Sequence, residues 1–268
     1  MAFPAPSGVI TLLTDFGLAD PFVGQMKGVI LTRCPNARVV DLSHGIAPGD
    51  VAAGSFWLER SWSCFAKGTV HVAVVDPGVG TARAALAVWA HHHWFVGPDN
   101  GLLAPVLATA HDPQVRRIEP LRLGMVPASR TFHGRDLFAP VAAALAAGRV
   151  GFPALGPQVE QWVPSLLPAP ELRADGAVGV VVTVDHFGNL ITNLGADILQ
   201  RVSHPMVRIG SHTVPLVGTF HEAPPGALLA LPGSMGVLEI ARRDGSAHQL
   251  LGLGRGTPVT LVGAEGRR

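Results

Sequence analysis

The chain has 268 residues, of which 48% are hydrophobic and 15% charged, and its 20 basic and 19 acidic side chains leave a formal net charge of +1. That composition excludes a disordered chain and gives no electrostatic case for nucleic acid or an anionic membrane surface as a partner. The longest apolar runs are broken by Gly, Pro or charge well short of the ~18 residues a membrane-spanning helix needs, and "MAFPAPSGVITLLTDFG" has no positive segment ahead of its apolar run. Neither a membrane span nor a signal peptide is expected, and the chain reads as cytoplasmic. Cys34 and Cys64 show no metal-ligand spacing and are expected to be buried, reduced thiols. The 32 glycines and 23 prolines imply short elements, many tight turns and sites built on loops.

In chain order, "GVITLLTDFG" (8–17) reads as a buried parallel strand with Thr-Asp at its carboxyl end. "DPFVGQMKGVILTRCP" (20–35) has helical spacing, with Phe22, Met26, Val29 and Ile30 on one side. Asp20 is the expected N-cap, Pro21 the first helical residue, and Pro35 the stop. A second strand over 37–43, a helix over 48–65 and a third strand over 68–76 follow. Residues 85–101 supply a hairpin-like pair, and 135–148 an Ala-rich helix closed by Gly148. Alternation of strands and helices over the first ~150 residues predicts an α/β domain with a mostly parallel sheet, placed at 1–155. Five prolines and little periodicity over 152–176 mark a linker, placed at 156–175. Residues 176–268 then carry short strands separated by frequent turns: "AVGVVVTVD", "MVRIG", "HTVPLV", "ALLALPG", "VLEIARR" and "TPVTLVG". They predict an all-β domain, barrel-like or a sandwich.

Several familiar chemistries are missing. There is no G-x-x-x-x-G-K-[ST] loop, no complete dinucleotide fingerprint and no G-x-S-x-G elbow. Three consecutive histidines, His91 to His93, invite a metal reading. Neighbouring side chains on a strand point to opposite faces, however, and no other ligand pattern accompanies them; a solvated strand end is expected and no metal is assigned. What remains is polar residues after apolar strands: Asp15 in "LLTDFG", Asp76 and Arg83 in "VVDPGVGTAR", Asp99 and Asn100 in "GPDNG", and His133 in "TFHGRD". Open α/β sheets bind ligands at the carboxyl ends of their strands. Each residue alone is equally a turn stabiliser. In the second half, "VDHFGNLITN" offers Asp185, Phe187, Asn189 and Asn193 around one glycine, either as a β-bulge or hairpin turn or as a binding loop with a stacking face. "PGSMGVLEIA" offers small residues and backbone amides that could approach a flat heteroaromatic ring.

Taken together and in order, "TDFG", "DPFVGQMKGVI", "VVDPGVGTAR", "GPDNGLL", "TFHGRDLFAP", "VDHFGNLITN" and "GSMGVLEIA" resemble the S-adenosylmethionine hydrolases that form adenosine, relatives of the fluorinases and chlorinases. The resemblance covers nearly the whole chain. It implies an α/β N-terminal and a barrel-like C-terminal domain, and a homotrimer with sites between the N-terminal domain of one subunit and the C-terminal domain of the next. It implies hydrolysis of S-adenosyl-L-methionine to adenosine and L-methionine, with no cofactor. Asp76, Arg83 and His133 match the family's catalytic triad, and Asp15 its ribose-binding carboxylate. Asp185, Phe187 and Asn189 match the region that holds the methionine portion or the nucleoside edge. Ser234 and Glu239 fall in the segment lining the adenine pocket.

These residue types suit the reaction. A sulfonium is already a good leaving group, so the difficulty lies in the nucleophile. Arg83 would favour hydroxide-like character, Asp76 and His133 would orient the water and handle its proton, and alignment with the C5′–S bond would supply the rest. A halogenase is the disfavoured reading. The fluorinase-type site has Tyr where this chain has Asp76 and Ser where it has Gly134, and the extra N-terminal-domain loop has no counterpart between Gly80 and Gly101. A carboxylate ~4 Å from a halide would cost roughly 4 kcal/mol at an effective dielectric of ~20. Ala84 stands where relatives often carry a second basic residue. A nucleoside-binding sensor without turnover is the alternative from another class.

Overall fold

The computed structural model describes residues 3, 5–202 and 205–263, and its chain divides into two units, residues 1–166 and 167–268. Residues 1, 2 and 4, part of the segment read above for a leader, lie outside the described residues. Each unit is built around its own sheet.

In the first unit the elements run Val9–Thr14 (β1), Phe22–Arg33 (α1), Arg38–Ser43 (β2), Val51–Ser61 (α2), Val70–Val74 (β3), Ala85–Ala90 (β4), His93–Pro98 (β5), Ala104–Ala108 (α3), Gln114–Arg117 (β6) and Ala139–Ala146 (α4). The sheet order is β2-β1-β3-β5-β4-β6. Pairs β1–β2, β1–β3 and β3–β5 are parallel, while β4 is antiparallel to both neighbours. The sheet is therefore mixed and mostly parallel. Its inner strands read as unbroken apolar runs because both faces are covered. Ile10, Val72 and Val74 pack on one side with Met26 and Ile30 of α1 and Val141 of α4. Leu13, Ala73 and Val75 pack on the other with Val51 and Leu58 of α2 and Val106 of α3. Edge strand β2 is the most exposed of the sheet.

Several local expectations change. The cap of α1 is Pro21, whose carbonyl accepts the Gln25 N–H, so Asp20 lies one residue outside the helix and caps nothing. The buried face of α1 is Val23, Met26 and Ile30, and Phe22 is partly exposed, with its ring edge-on to Phe16 and Phe132. By contrast Asp50 caps α2 with its side chain, accepting from the Ala53 N–H at 2.9 Å. Cys34 is buried as expected, but Cys64, in a short 3-10 turn after α2, is exposed. The start of the proline-rich stretch lies along the first unit's sheet. Pro157 O accepts the Arg117 N–H, the Val159 N–H reaches Val115 O, and Phe152 and Leu155 are buried. Proline lacks a donor but keeps its carbonyl, so such a stretch can still line a strand.

The second unit contains Glu171–Arg173 (β7), Gly176–Val184 (β8), Leu190–Gly195 (β9), Ala196–Leu199 (α5), Pro205–Ile209 (β10), His212–Val214 (β11), Leu228–Pro232 (β12), Val237–Arg242 (β13), Ala247–Leu251 (α6) and Pro258–Gly263 (β14). Seven strands follow one another as β11-β10-β14-β8-β9-β13-β12, and β7 pairs with β8. A parallel bridge from Leu216 to Ala230 then brings the two ends of that path together. The result is a nearly closed antiparallel barrel filled by Val181, Leu190, Val207, Leu238, Ile240, Val259 and Leu261. Near-closure hides edge strands that would otherwise template aggregation. "LITNLG" is a strand that was not expected, because it sits inside the motif read as a turn or binding loop. Among the described residues, no helix is long and apolar enough to cross a membrane.

Candidate active site

Strand β3 ends at Val74, and the chain then turns through "VDPGVGTAR". The Val79 N–H returns to Asp76 O, and the Thr81 hydroxyl donates to Gly78 O. Gly80 has φ +81°, and a Cβ there would lie 2.9 Å from Arg130 O, so the loop needs glycine for both its turn and its neighbour. Asn100 fixes the strand end from beside it, donating to Val75 O at 2.8 Å. Asp99 accepts the Val163 N–H. Both residues of the "PDN" turn thus have structural jobs.

The loop brings Arg83 back onto Asp76. Arg83 Nε donates to Asp76 Oδ1 at 2.8 Å, and Nη2 donates to Oδ2, completing a two-pronged pair whose side chains are both almost wholly buried. The same Nη2 lies 2.9 Å from His133 Nδ1. Nη1 donates to Ala84 O, and the guanidinium sits over the Phe138 ring at 5.4 Å. Arginine can only donate, so His133 Nδ1 must accept, and the hydrogen-bond network assigns the imidazole hydrogen to Nε2. Burial, then the charge of Arg83, holds the His133 pKa below the usual histidine value against the opposing pull of Asp76 and Asp136. His133 is therefore neutral at neutral pH.

His133 is delivered by a π-helical turn, Gly134–Phe138, that leads into α4. Such turns often mark functional positions. Gly134 is packed on three sides. A Cβ there would lie 3.2–3.3 Å from Met26, Phe132 and Phe16.

Asp15 follows β1, the strand next to β3, so it shares the carboxyl edge of the sheet with Asp76. Its Oδ2 accepts the Gly49 N–H at 2.8 Å, and Oδ1 has no partner among the described residues. Sequence reasoning missed the support behind it. His44 Nδ1 bonds the Thr14 hydroxyl at 2.8 Å and its carbonyl accepts the Gly17 N–H, so both sides of Asp15 are tied to one residue. His44 Nε2 lies 3.0 Å from Asp41 Oδ1, and Lys27 bonds Asp41 Oδ2 at 2.7 Å. The available signal was "DLSHG", a polar cluster at the carboxyl end of β2.

In the second unit, Asp185 folds the β8–β9 connection. Its Oδ1 accepts the N–H groups of Phe187 and Asn189, and its Oδ2 accepts Asn189 Nδ2. Asn189 is buried, while the Phe187 ring is 74% exposed. Glu239 on β13 pairs in register with Ile191, and its carboxyl lies against Gly233, where a Cβ would collide with it. Burial, then the charge of Asp185, raises the Glu239 pKa above the usual value. Ser234 sits in the β12–β13 turn closed by Gly233 N–H to Val237 O. Asp185, Asn189 and Glu239 are thus neighbours. Asn193 serves the barrel, with its Oδ1 accepting the Val180 N–H. Among the described residues, no group of three or more His, Cys, Asp or Glu is placed to hold a metal ion.

A buried carboxylate–guanidinium–imidazole chain at the end of a mostly parallel sheet, on a chain that also carries a small barrel, defines a two-domain α/β plus β protein. Two family models match it: the SAM hydroxide adenosyltransferase N-terminal domain over residues 10–156 and the C-terminal domain of the same family over residues 179–260. The chain belongs to the SAM hydroxide adenosyltransferase family. It is 43% identical to the (R)-S-adenosyl-L-methionine hydrolase of Thermus thermophilus, over 94% of this chain and 99% of that protein. A fluorinase of Actinoplanes sp. is more distant, at 28% identity over 96% of this chain and 98% of that one. Among solved structures, an uncharacterized conserved protein from Thermotoga maritima superposes with a TM-score of 0.87 at 35% identity, covering 94% of this chain and 99% of that one.

Proposed function

We propose that the protein hydrolyses S-adenosyl-L-methionine to adenosine and L-methionine, with Asp76, Arg83 and His133 as its catalytic residues. The observation that carries this reading is the unbroken chain Asp76–Arg83–His133, buried at a strand end in a member of this family. A carboxylate offers about four acceptor positions, and Arg83 uses two. Asp76 therefore keeps capacity for a water hydrogen. Arg83 stabilises the hydroxide-like character that water gains as it attacks, and His133 presents an Nε2–H beside it. Oxygen bonds to ribose C5′, the C5′–S bond breaks, and its electron pair leaves on the methionine sulfur. The proton that the water loses passes to the Asp76 carboxylate, the free acceptor beside it, and from there to solvent. A fixed carboxylate at this position disfavours a halide, in keeping with the greater distance from the fluorinase.

Asp15, with one free carboxylate oxygen, is read as the ribose ligand. Asp185 and Glu239 form an acidic corner suited to a donor-rich part of the substrate, either the α-ammonium or the adenine amino group, with Phe187, Asn189 and Ser234 around it. The catalytic and acidic groups lie on different units, and Phe187 is left exposed. Both facts are compatible with the homotrimer that the family resemblance implies, in which one subunit's first unit meets the next subunit's second.

The test is to incubate purified protein with each sulfonium epimer of S-adenosylmethionine in H₂¹⁸O, with chloride present. Adenosine labelled at its 5′ oxygen, stoichiometric with methionine, is expected. Tight adenosine binding without product would indicate a sensor, and 5′-chloroadenosine a halogenase. Light scattering on the eluting peak tests the trimer.

A further inference from the structure

The histidine run is not a solvated strand end. His91 and His92 form the two-residue turn between β4 and β5, both with positive φ (53° and 65°), and His93 is 3% exposed at the start of β5. Such a turn normally takes Asn or Gly, so two imidazoles there carry backbone strain. His91 Nε2 lies 3.0 Å from Val106 O, and its ring stacks on Trp62 at 4.5 Å.

Behind the turn runs a buried relay. The Thr11 hydroxyl lies 2.8 Å from His71 Nδ1, and His71 Nε2 lies 3.1 Å from His93 Nδ1. Thr11 and His71 are fully buried. The Thr11 hydroxyl has no other side-chain partner among the described residues, so it donates to His71. Reversing the relay would strand its hydrogen in the core. His71 then carries its hydrogen on Nε2 and donates to His93 Nδ1, which leaves the hydrogen of His93 on Nε2. That N–H has no partner among the described residues, points away from His71, and belongs to a side chain lining an open cleft of about 590 Å³. Trp62 gives the cleft a flat wall on the His93 side, Trp89 borders it from the other face of the sheet, and Lys67, His92 and His111 give it further donors against one acid, Asp112. Burial and His93 push His71 down to about 3. Burial, then the charges of His91, His92 and Lys67, push His93 down to about 4. The relay is thus neutral at neutral pH, with the Lys67 ammonium near it.

We propose that this cleft is a second binding site, separate from the Asp76 loop, which takes a small organic anion with a flat body: the oxyanion on His93 Nε2–H and Lys67, the ring against Trp62. Strands β1, β3 and β5 begin at this edge and end at the other. The span from Val70 to Val75 alone is roughly 16 Å at ~3.3 Å per residue, so the two sites do not share a pocket.

Titration of the full chain with sodium benzoate, inorganic phosphate and benzamidine tests this, reading tryptophan fluorescence and the imidazole ¹⁵N spectrum. Benzoate should bind saturably and shift the His93 Nε2 resonance, phosphate should bind more weakly, and benzamidine should not bind. Lys67→Ala should weaken benzoate about tenfold, the scale for losing a charged hydrogen bond, and leave S-adenosylmethionine turnover within twofold. The proposal is overturned if benzoate does not bind, if benzamidine matches it, if Lys67→Ala leaves it unchanged, or if the spectrum puts the His93 hydrogen on Nδ1. Phosphate binding as tightly as benzoate would overturn the flat body. None of these readouts depends on the hydrolase reading.

Discussion

The two edges of the six-stranded sheet bury polar groups in opposite ways. At the carboxyl edge, Asp76 and Arg83 form an ion pair through two hydrogen bonds, extended to His133. At the amino edge, Thr11, His71 and His93 form a neutral relay. A buried ion pair pays a large desolvation cost and survives only while both partners remain, whereas a neutral relay loses just the hydrogen bonds that are cut. The first arrangement suits an edge that must stabilise charge during a reaction. The second fixes hydrogens without holding charge.

The largest break in that contrast should come from Asp76→Asn. Turnover of S-adenosylmethionine should fall by about 10²–10⁴-fold, the range for a group that handles a proton in the transition state. Stability should fall by up to ~3–5 kcal/mol, because Arg83 is left buried without its counter-charge. Product assays and denaturant unfolding measure the two, and calorimetry should show adenosine binding retained within a few-fold. Near-parent turnover would remove the carboxyl edge from the chemistry.

His71→Phe should do the reverse. It orphans the Thr11 hydroxyl and His93 Nδ1 and should cost ~1–3 kcal/mol in chemical denaturation, with turnover unchanged. Adding Thr11→Val should recover part of that loss, because both ends of the bond are then apolar. A turnover collapse in either variant would couple the edges that the structure keeps apart.

Acid should separate the edges as well. His71 and His93 have folded pKa values of about 3 and 4 against an ordinary 6.5. The unfolded chain therefore takes up their protons first. Their contribution to stability is complete above about pH 6.5 and is lost progressively as pH falls toward 4. Thermal unfolding from pH 7.5 to 4.5 should show that loss, with a shallower slope in His71→Phe. Protonated His133 cannot accept from Arg83, so activity should also decline on the acid side. An acid limb of the turnover profile that disappears in His133→Asn would identify it.

The smallest effect belongs to a helix between the two edges. Asp50→Ala removes the side-chain cap of α2 and should cost ~1 kcal/mol, read as a drop in unfolding midpoint, whereas Asp20→Ala, which caps nothing, should cost almost none.

Much of this organisation was legible along the chain because it rests on short-range pattern. Apolar runs buried on both faces announced β1 and β3, Gly148 announced the end of α4, and the spacing of "VVDPGVGTAR" already placed two chemical residues on one loop. The ordered motifs carried the family. Strand β9 was hidden because its residues double as the asparagine-rich motif, and the Asp20 cap failed because Pro21 took the capping position one residue later.

Sequence alone determined which side chains lie at strand ends, since alternation and turn residues are local properties. Only the tertiary structure decided which of them meet. Arg83 reaches His133 across 50 residues, His44 pins the turn around Asp15 across 30, and His71 meets His93 across 22. Parallel strands cannot pair through a tight turn. Their neighbours are set by crossovers that pack helices on the sheet, so the hydrogen bonds that fix charge, tautomer and orientation exist only once the sheet is assembled.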